Sequence, residues 1–96
     1  MDKLKKYDLH DAQIVSLTIE RLNHYFSILL EIHLWDSINI RILFDEIDEY
    51  KITCGNVEQY YLEIDSYSFE NDTYKFNLQG DYGEIIIKAK KIIIQK

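Results

Sequence analysis

The sequence predicts an all-β fold: a single-domain antiparallel β-sandwich or partly open barrel of six to seven strands. Three observations lead there. Sixteen isoleucines and eight tyrosines stand against two alanines and no proline, a usage that favours strands and withholds the best helix former. Apolar and polar side chains alternate over most of the chain, the period that sends neighbours to opposite faces of a strand. Turn signals recur roughly every ten residues, too close for helical crossovers, so consecutive strands are expected to pair up-and-down.

Residues 2–8 leave open a helical turn or a loose end. Val15, Leu17 and Ile19 then alternate with Ser16, Thr18 and Glu20 in a first strand, and Leu22-Asn23-His24 connects it to the next. The strongest signal follows. Phe26, Ile28, Leu30, Ile32 and Leu34 recur every second residue, Asp36-Ser37 is turn-prone, and Ile38, Ile40, Ile42 and Phe44 resume the alternation. The two arms are expected to form a β-hairpin whose large apolar face is the core. Beyond Phe44 the apolar residues Ile47, Tyr50 and Ile52 are spaced irregularly, which suits a bent or bulged strand or one helical turn. Gly55-Asn56 breaks the chain. A strand is expected within Val57–Ser68, with Tyr60, Leu62 and Ile64 opposite Tyr61, Glu63 and Asp65. Glu70-Asn71-Asp72 is a turn, and Tyr74, Phe76 and Leu78 mark another strand. Gly80-Asp81-Tyr82-Gly83 is the clearest turn, and the last strand starts at Glu84 and extends to Lys90 or Ile94. No internal repeat or linker is visible.

Ninety-six residues make one domain, 1–96. Cys54 is the single cysteine, so no internal disulfide forms. The lysine-rich N-terminus has no apolar run behind it, and no apolar run exceeds three residues. A secretory signal and a membrane span are therefore not expected, and a cytoplasmic location is. The net charge of −6 is unevenly spread. Lys3, Lys5, Lys6, Lys88, Lys90, Lys91 and Lys96 sit at the ends, whereas Tyr7–Ile87 holds four cations and sixteen carboxylates. Such a middle argues against a nucleic-acid ligand, which needs clustered Lys and Arg, and favours a basic protein partner.

Catalytic patterns are scarce. His10-Asp11 is an adjacent pair, but a metal site needs three or four converging ligands, and the other histidines, His24 and His33, are not tied to it. The expected roles are structural: Asp11 caps the turn into the first strand and His10 satisfies buried backbone groups. Cys54 has Lys51 but no histidine nearby in sequence, so a small hydrophobe near a strand end is the expected role. Glu63 and Asp65 share one strand face roughly 7 Å apart, a spacing an acidic chain produces by chance. Phosphate loops, nucleophile elbows and CxxC pairs are absent. No catalytic residue, metal or cofactor is expected.

Two acidic groups remain. Asp45, Glu46, Asp48 and Glu49 form one. Glu58, Tyr61, Glu63, Asp65 and Tyr67 form the second, with Tyr60 interleaved. Tyrosine is enriched at protein interfaces because a large rigid face carries a hydroxyl, so these nine residues are the candidate partner-binding set. The alternative is that the tyrosines pack at the sheet margins and the acids form a solvated face.

With Leu9-His10-Asp11-Ala12-Gln13-Ile14 and Phe44-Asp45-Glu46-Ile47 on either side of the alternating hairpin, the chain resembles small bacterial immunity proteins of polymorphic toxin and contact-dependent growth inhibition systems. The resemblance spans most of the chain in layout and about ten residues in motif. It implies a cytoplasmic inhibitor without cofactor that occludes a cognate toxin domain, commonly a basic nuclease. The competing expectation is a structural or self-associating β-domain joined through Ile85-Ile86-Ile87 and Ile92-Ile93-Ile94. A third, an enzyme or small-ligand barrel, requires a polar-lined cavity.

Overall fold

The computed structural model describes residues 2–22, 25–54, 62–81 and 83–96; the expected strand residues Tyr60 and Tyr61, and the breaks at Asn23-His24 and Gly55-Asn56, lie outside them. The fold is all-β, with six antiparallel strands in one open sheet: β1 (Gln13–Leu22), β2 (Tyr25–His33), β3 (Asn39–Ile52), β4 (Ile64–Glu70), β5 (Thr73–Leu78) and β6 (Glu84–Gln95).

The hairpin forms where the alternation places it. β2 and β3 pair from Ile28↔Phe44 to His33↔Asn39, and Ile28, Leu30, Ile32, Leu34, Ile40, Ile42 and Phe44 are buried. Its three-residue loop closes through Leu34 N–H donating to the Ile38 carbonyl at 2.7 Å, with Ser37 at φ 70°, as a type I turn followed by a left-handed residue requires. Ile38, expected inside, is 37% exposed, because the pleat begins only after the loop.

Two expectations are corrected. Val15 was expected on the face of Leu17 and Ile19, but a bulge between Ile14 and Ser16 reverses the phase. Ile14 turns in and Val15 turns out, since one extra residue moves a side chain to the other face. The second correction is the strand order, β1-β2-β3-β6-β5-β4. β3 pairs with β6, from Arg41↔Gln95 to Ile52↔Ile85, and not with β4. β6 is long enough to match the length of β3, whereas β4 and β5 have seven and six residues. Each half of the chain is thus a three-stranded meander, and the two meet along β3 and β6.

The irregular segment after Phe44 is a bulged strand: Glu46 has φ 50° and the register shifts between Ile47 and Glu49. Asn71 and Asp72 both have positive φ, the I′ geometry of a two-residue hairpin.

The sheet curls until its outer strands touch at one end, so the partly open barrel is realised. Ile64 N–H donates to the Ala12 carbonyl, Asp11 N–H to the Ile64 carbonyl and Ile14 N–H to the Leu62 carbonyl, each at 2.9 Å. Gln13 faces Glu63 across this seam. The N-terminal turn sends Leu4, fully buried, into the core. There Phe44 stands edge-on to Tyr74 and Phe76, with ring centroids 5.3 and 6.4 Å away.

The halves also correspond residue by residue where they begin. β4 carries a bulge between Ile64 and Ser66, fifty positions after the bulge of β1. Ala12/Leu62 and Ile14/Ile64 are buried, Val15/Asp65 are the extruded exposed residues, and Ser16/Ser66 follow. This repeat of geometry was not visible as a repeat in the sequence.

Candidate functional site

The His10-Asp11 pair lies on the seam. Asp11 adopts φ 65°, a left-handed conformation that aspartate tolerates better than most residues. Its carboxylate accepts a hydrogen bond from the side-chain amide of Gln79. His10 reaches the Asp65 carbonyl with Nδ1 at 2.7 Å; the carbonyl can only accept, so Nδ1 carries the proton. Nε2 lies 3.6 Å from the second oxygen of Asp11. His10 thus fastens the approach to β1 onto β4, but at an exposed and not a buried backbone group, and the Asp11 carboxylate meets the Gln79 side chain instead of capping its own turn. Among the described residues no three His, Cys, Asp or Glu side chains are grouped to hold a metal.

The bond to the Asp65 carbonyl, then the Asp11 charge, raises the His10 pKa above its ordinary 6.5. A group with a raised folded pKa adds stability below its unfolded pKa and loses it as pH rises through the folded one. Asp11→Ala is therefore expected to lower the thermal midpoint while leaving partner affinity, measured on folded protein, unchanged. The deficit of His10→Asn relative to the parent should be full below pH 6.5 and shrink above the raised value. Thermal melts across pH check both; a stable Asp11→Ala protein that no longer binds would place function at the seam.

The first acidic group sits on β3 past its last ladder pair with β2. β2 pairs with β3 only up to Phe44, so among the described residues β3 makes no ladder pair on that side from Asp45 to Ile52, although β2 itself continues to Tyr25. Glu46, Asp48 and Glu49 are exposed and Asp45 half-buried. Tyr50, 41% exposed, stands edge-on to Phe26 at 5.4 Å. Lysines lie across the other side: Lys91 opposite Asp45 and Lys88 opposite Glu49. Asp48 falls at the bulge, outside these pairs, and Glu46 stands at the kink, where the register sets it across from Lys90.

The second group is not one surface. Glu58 and Tyr61 lie outside the described residues. Glu63 is at the seam, where its carbonyl accepts from Gln79 N–H at 2.9 Å. Asp65 is the exposed bulge residue whose carbonyl holds His10. Tyr67 is half-buried against Phe76, and its hydroxyl donates to Asp2 at 2.6 Å. Burial, with that bond and the Asp2 charge, pushes its pKa well up. Tyr67 ties the N-terminal turn to β4 and is committed within the fold.

A surface outside the candidate set lies at the opposite end of β6. β5 pairs with β6 only through Glu84–Lys88, so among the described residues that side of β6 has no strand from Lys90 to Gln95. A groove of about 740 Å³ runs along it, with Lys3, Lys5 and Lys6 on one wall and Ile92, Ile93 and Ile94 on the other. Asp2 also lines it. Lys6 continues into a notch shared with Trp35, Ile38 and Lys96, and Trp35 is 67% exposed. The sequence signal for this surface is a tryptophan beside the turn-prone Asp36-Ser37.

Half-burial raises the Cys54 pKa, the reverse of what a thiolate nucleophile needs. Compared with protein-family models, curated proteins and solved structures, the chain finds no match.

Proposed function

We propose that the chain is an immunity-type inhibitor that binds a cationic bacterial toxin domain, a nuclease by preference, and neutralises it by covering its active site. The observation that carries this reading is the acidic stretch of β3 past its last ladder pair with β2 among the described residues, where Glu46 and Asp48 project from a kinked backbone beside the half-exposed ring of Tyr50. Carboxylates so placed meet Lys and Arg that otherwise hold nucleic-acid phosphates, and the field steers the encounter. The bulge guards this backbone against unwanted strand pairing, leaving side chains to make the contact.

The test is binding kinetics against the protein encoded by the neighbouring gene, at low and moderate salt. Reversing Glu46 and Asp48 to lysine is expected to slow association about tenfold or more at low salt, with dissociation less affected. Reversing Glu49, which already faces Lys88, should do less than reversing Asp48. Association unchanged by these reversals and indifferent to salt would leave the acids a solubility device.

The self-associating alternative keeps one of its two isoleucine runs. Ile85 and Ile87 are buried in the core and Ile86 lies between Lys51 and Lys75, so only Ile92–Ile94 border a side of a strand without a neighbour.

A further inference from the structure

We propose that the open side of β6 from Lys90 to Gln95 takes up an extended acidic segment of a partner protein as an added strand. This surface is separate from the acidic side of β3 and does not depend on the function proposed above.

The backbone supplies the first argument. Lys3 Nζ donates to the Ile92 carbonyl at 3.3 Å, so that carbonyl points away from β3 and into the groove. In an antiparallel ladder a residue's N–H and C=O point to the same side, and every second residue repeats the direction. Ile92 and Ile94 therefore offer donors and acceptors to the groove, where among the described residues β5 no longer reaches. The register of β3 with β6 shifts at Asp48 of β3, whereas from Lys91 to Gln95 β6 follows β3 without a shift. A nucleic acid or a lipid surface has no use for such a row of peptide groups; an extended peptide does.

Charge and shape supply the second. Lys3, Lys5 and Lys6 form one wall, Lys90 and Lys91 are exposed at one end and Lys96 at the other. A strand laid here meets cations on both flanks, so its outward residues are Asp and Glu. Ile93, 39% exposed, offers apolar contact to alternate residues. At the Lys96 end Trp35 and Ile38 stand at the notch, a large rigid ring of the kind that dominates interface energies. The acidic side of β3 in a second copy matches in charge, but Glu46 and the Asp48 bulge interrupt its ladder. The occupant is thus a segment from another protein.

The test selects twelve-residue peptides from a random display library against the intact protein and measures the enriched ones by fluorescence anisotropy and amide NMR. The expected peptides alternate acidic and apolar residues, shift the amides of Lys90–Gln95 and the Trp35 indole, and bind more weakly as salt rises. Methylating alternate peptide nitrogens should abolish binding. Lys3→Glu with Lys5→Glu and Lys6→Glu should weaken it about tenfold or more, and Trp35→Ala several-fold, with thermal midpoints unchanged. The proposal is overturned if selection enriches nothing or basic peptides, or if methylated peptides bind equally well. Equal competition by a single-stranded oligonucleotide, or shifts at Lys90–Gln95 that depend only on protein concentration, also overturns it, by assigning the surface to nucleic acid or to a second copy.

Discussion

Leu30→Ala is expected to lower the free energy of unfolding by about 2–5 kcal/mol, and Phe44→Ala by about 3–5 kcal/mol. Both side chains are fully buried on the two strands of the central hairpin. Leu30 lies between Leu17 on β1 and Ile42 on β3, so its removal opens a void bounded by three strands whose backbone ladders cannot shift independently. Phe44 lies between Ile28 and Ile92 and stands edge-on to Tyr74 and Phe76 from the other half, so it joins the two meanders. Loss of its contacts adds to the loss of buried apolar area. Urea denaturation with an unchanged slope measures the effect. Losses below about 1 kcal/mol for both variants would mean that the hairpin is not the centre of the core.

The second large effect is expected at Gly83. Its φ of 115° belongs to the region that only glycine enters easily, and a Cβ there would lie 2.3 Å from the Thr53 carbonyl oxygen. The close approach has a cause. Thr53 N–H donates to the Glu84 carbonyl at 3.0 Å, and Glu84 N–H donates to the Thr53 hydroxyl at 3.2 Å, drawing the end of β3 against the start of β6. Leu78 N–H donates to the Gly83 carbonyl at 3.0 Å, which ties in the end of β5. Gly83→Ala carries a backbone cost of about 1–3 kcal/mol from φ alone, and the clash with fixed backbone adds to it. Gly80, at φ 67° where asparagine is tolerated, is the control: Gly80→Asn should cost much less. Equal stabilities for Gly83→Ala and Gly80→Asn in the same denaturation experiment would show that the close approach at Gly83 is not maintained in solution.

Much of the fold was legible because it is local. Alternation along Ile28–Leu34 and Ile40–Phe44 says which side chains go inside, and Asp36-Ser37 and Asn71-Asp72 say where the chain reverses. The break in spacing after Phe44 announces the bulged part of β3. None of these depends on what lies across the sheet. The rest depends on it entirely. The bulges at Val15 and Asp65 leave no local mark, because one extruded residue looks like one more step of a strand; only the partner's register shows it. Alternation is equally silent on strand order, since β3 could bury the same face beside β4 or β6, and the longer ladder with β6 decided the pairing. That pairing in turn governed the candidate site. It set Lys88 and Lys91 across from Glu49 and Asp45, drew Tyr67 inward to Asp2, and left one acidic and one lysine-flanked side of a strand without ladder pairs among the described residues. Sequence by itself determined the inside and outside of the regular stretches, Ile28–Leu34 and Ile40–Phe44, a property of single residues and their period. Tertiary structure alone decided which charges meet and which backbone stays unpaired, because both are properties of pairs brought together over long stretches of chain.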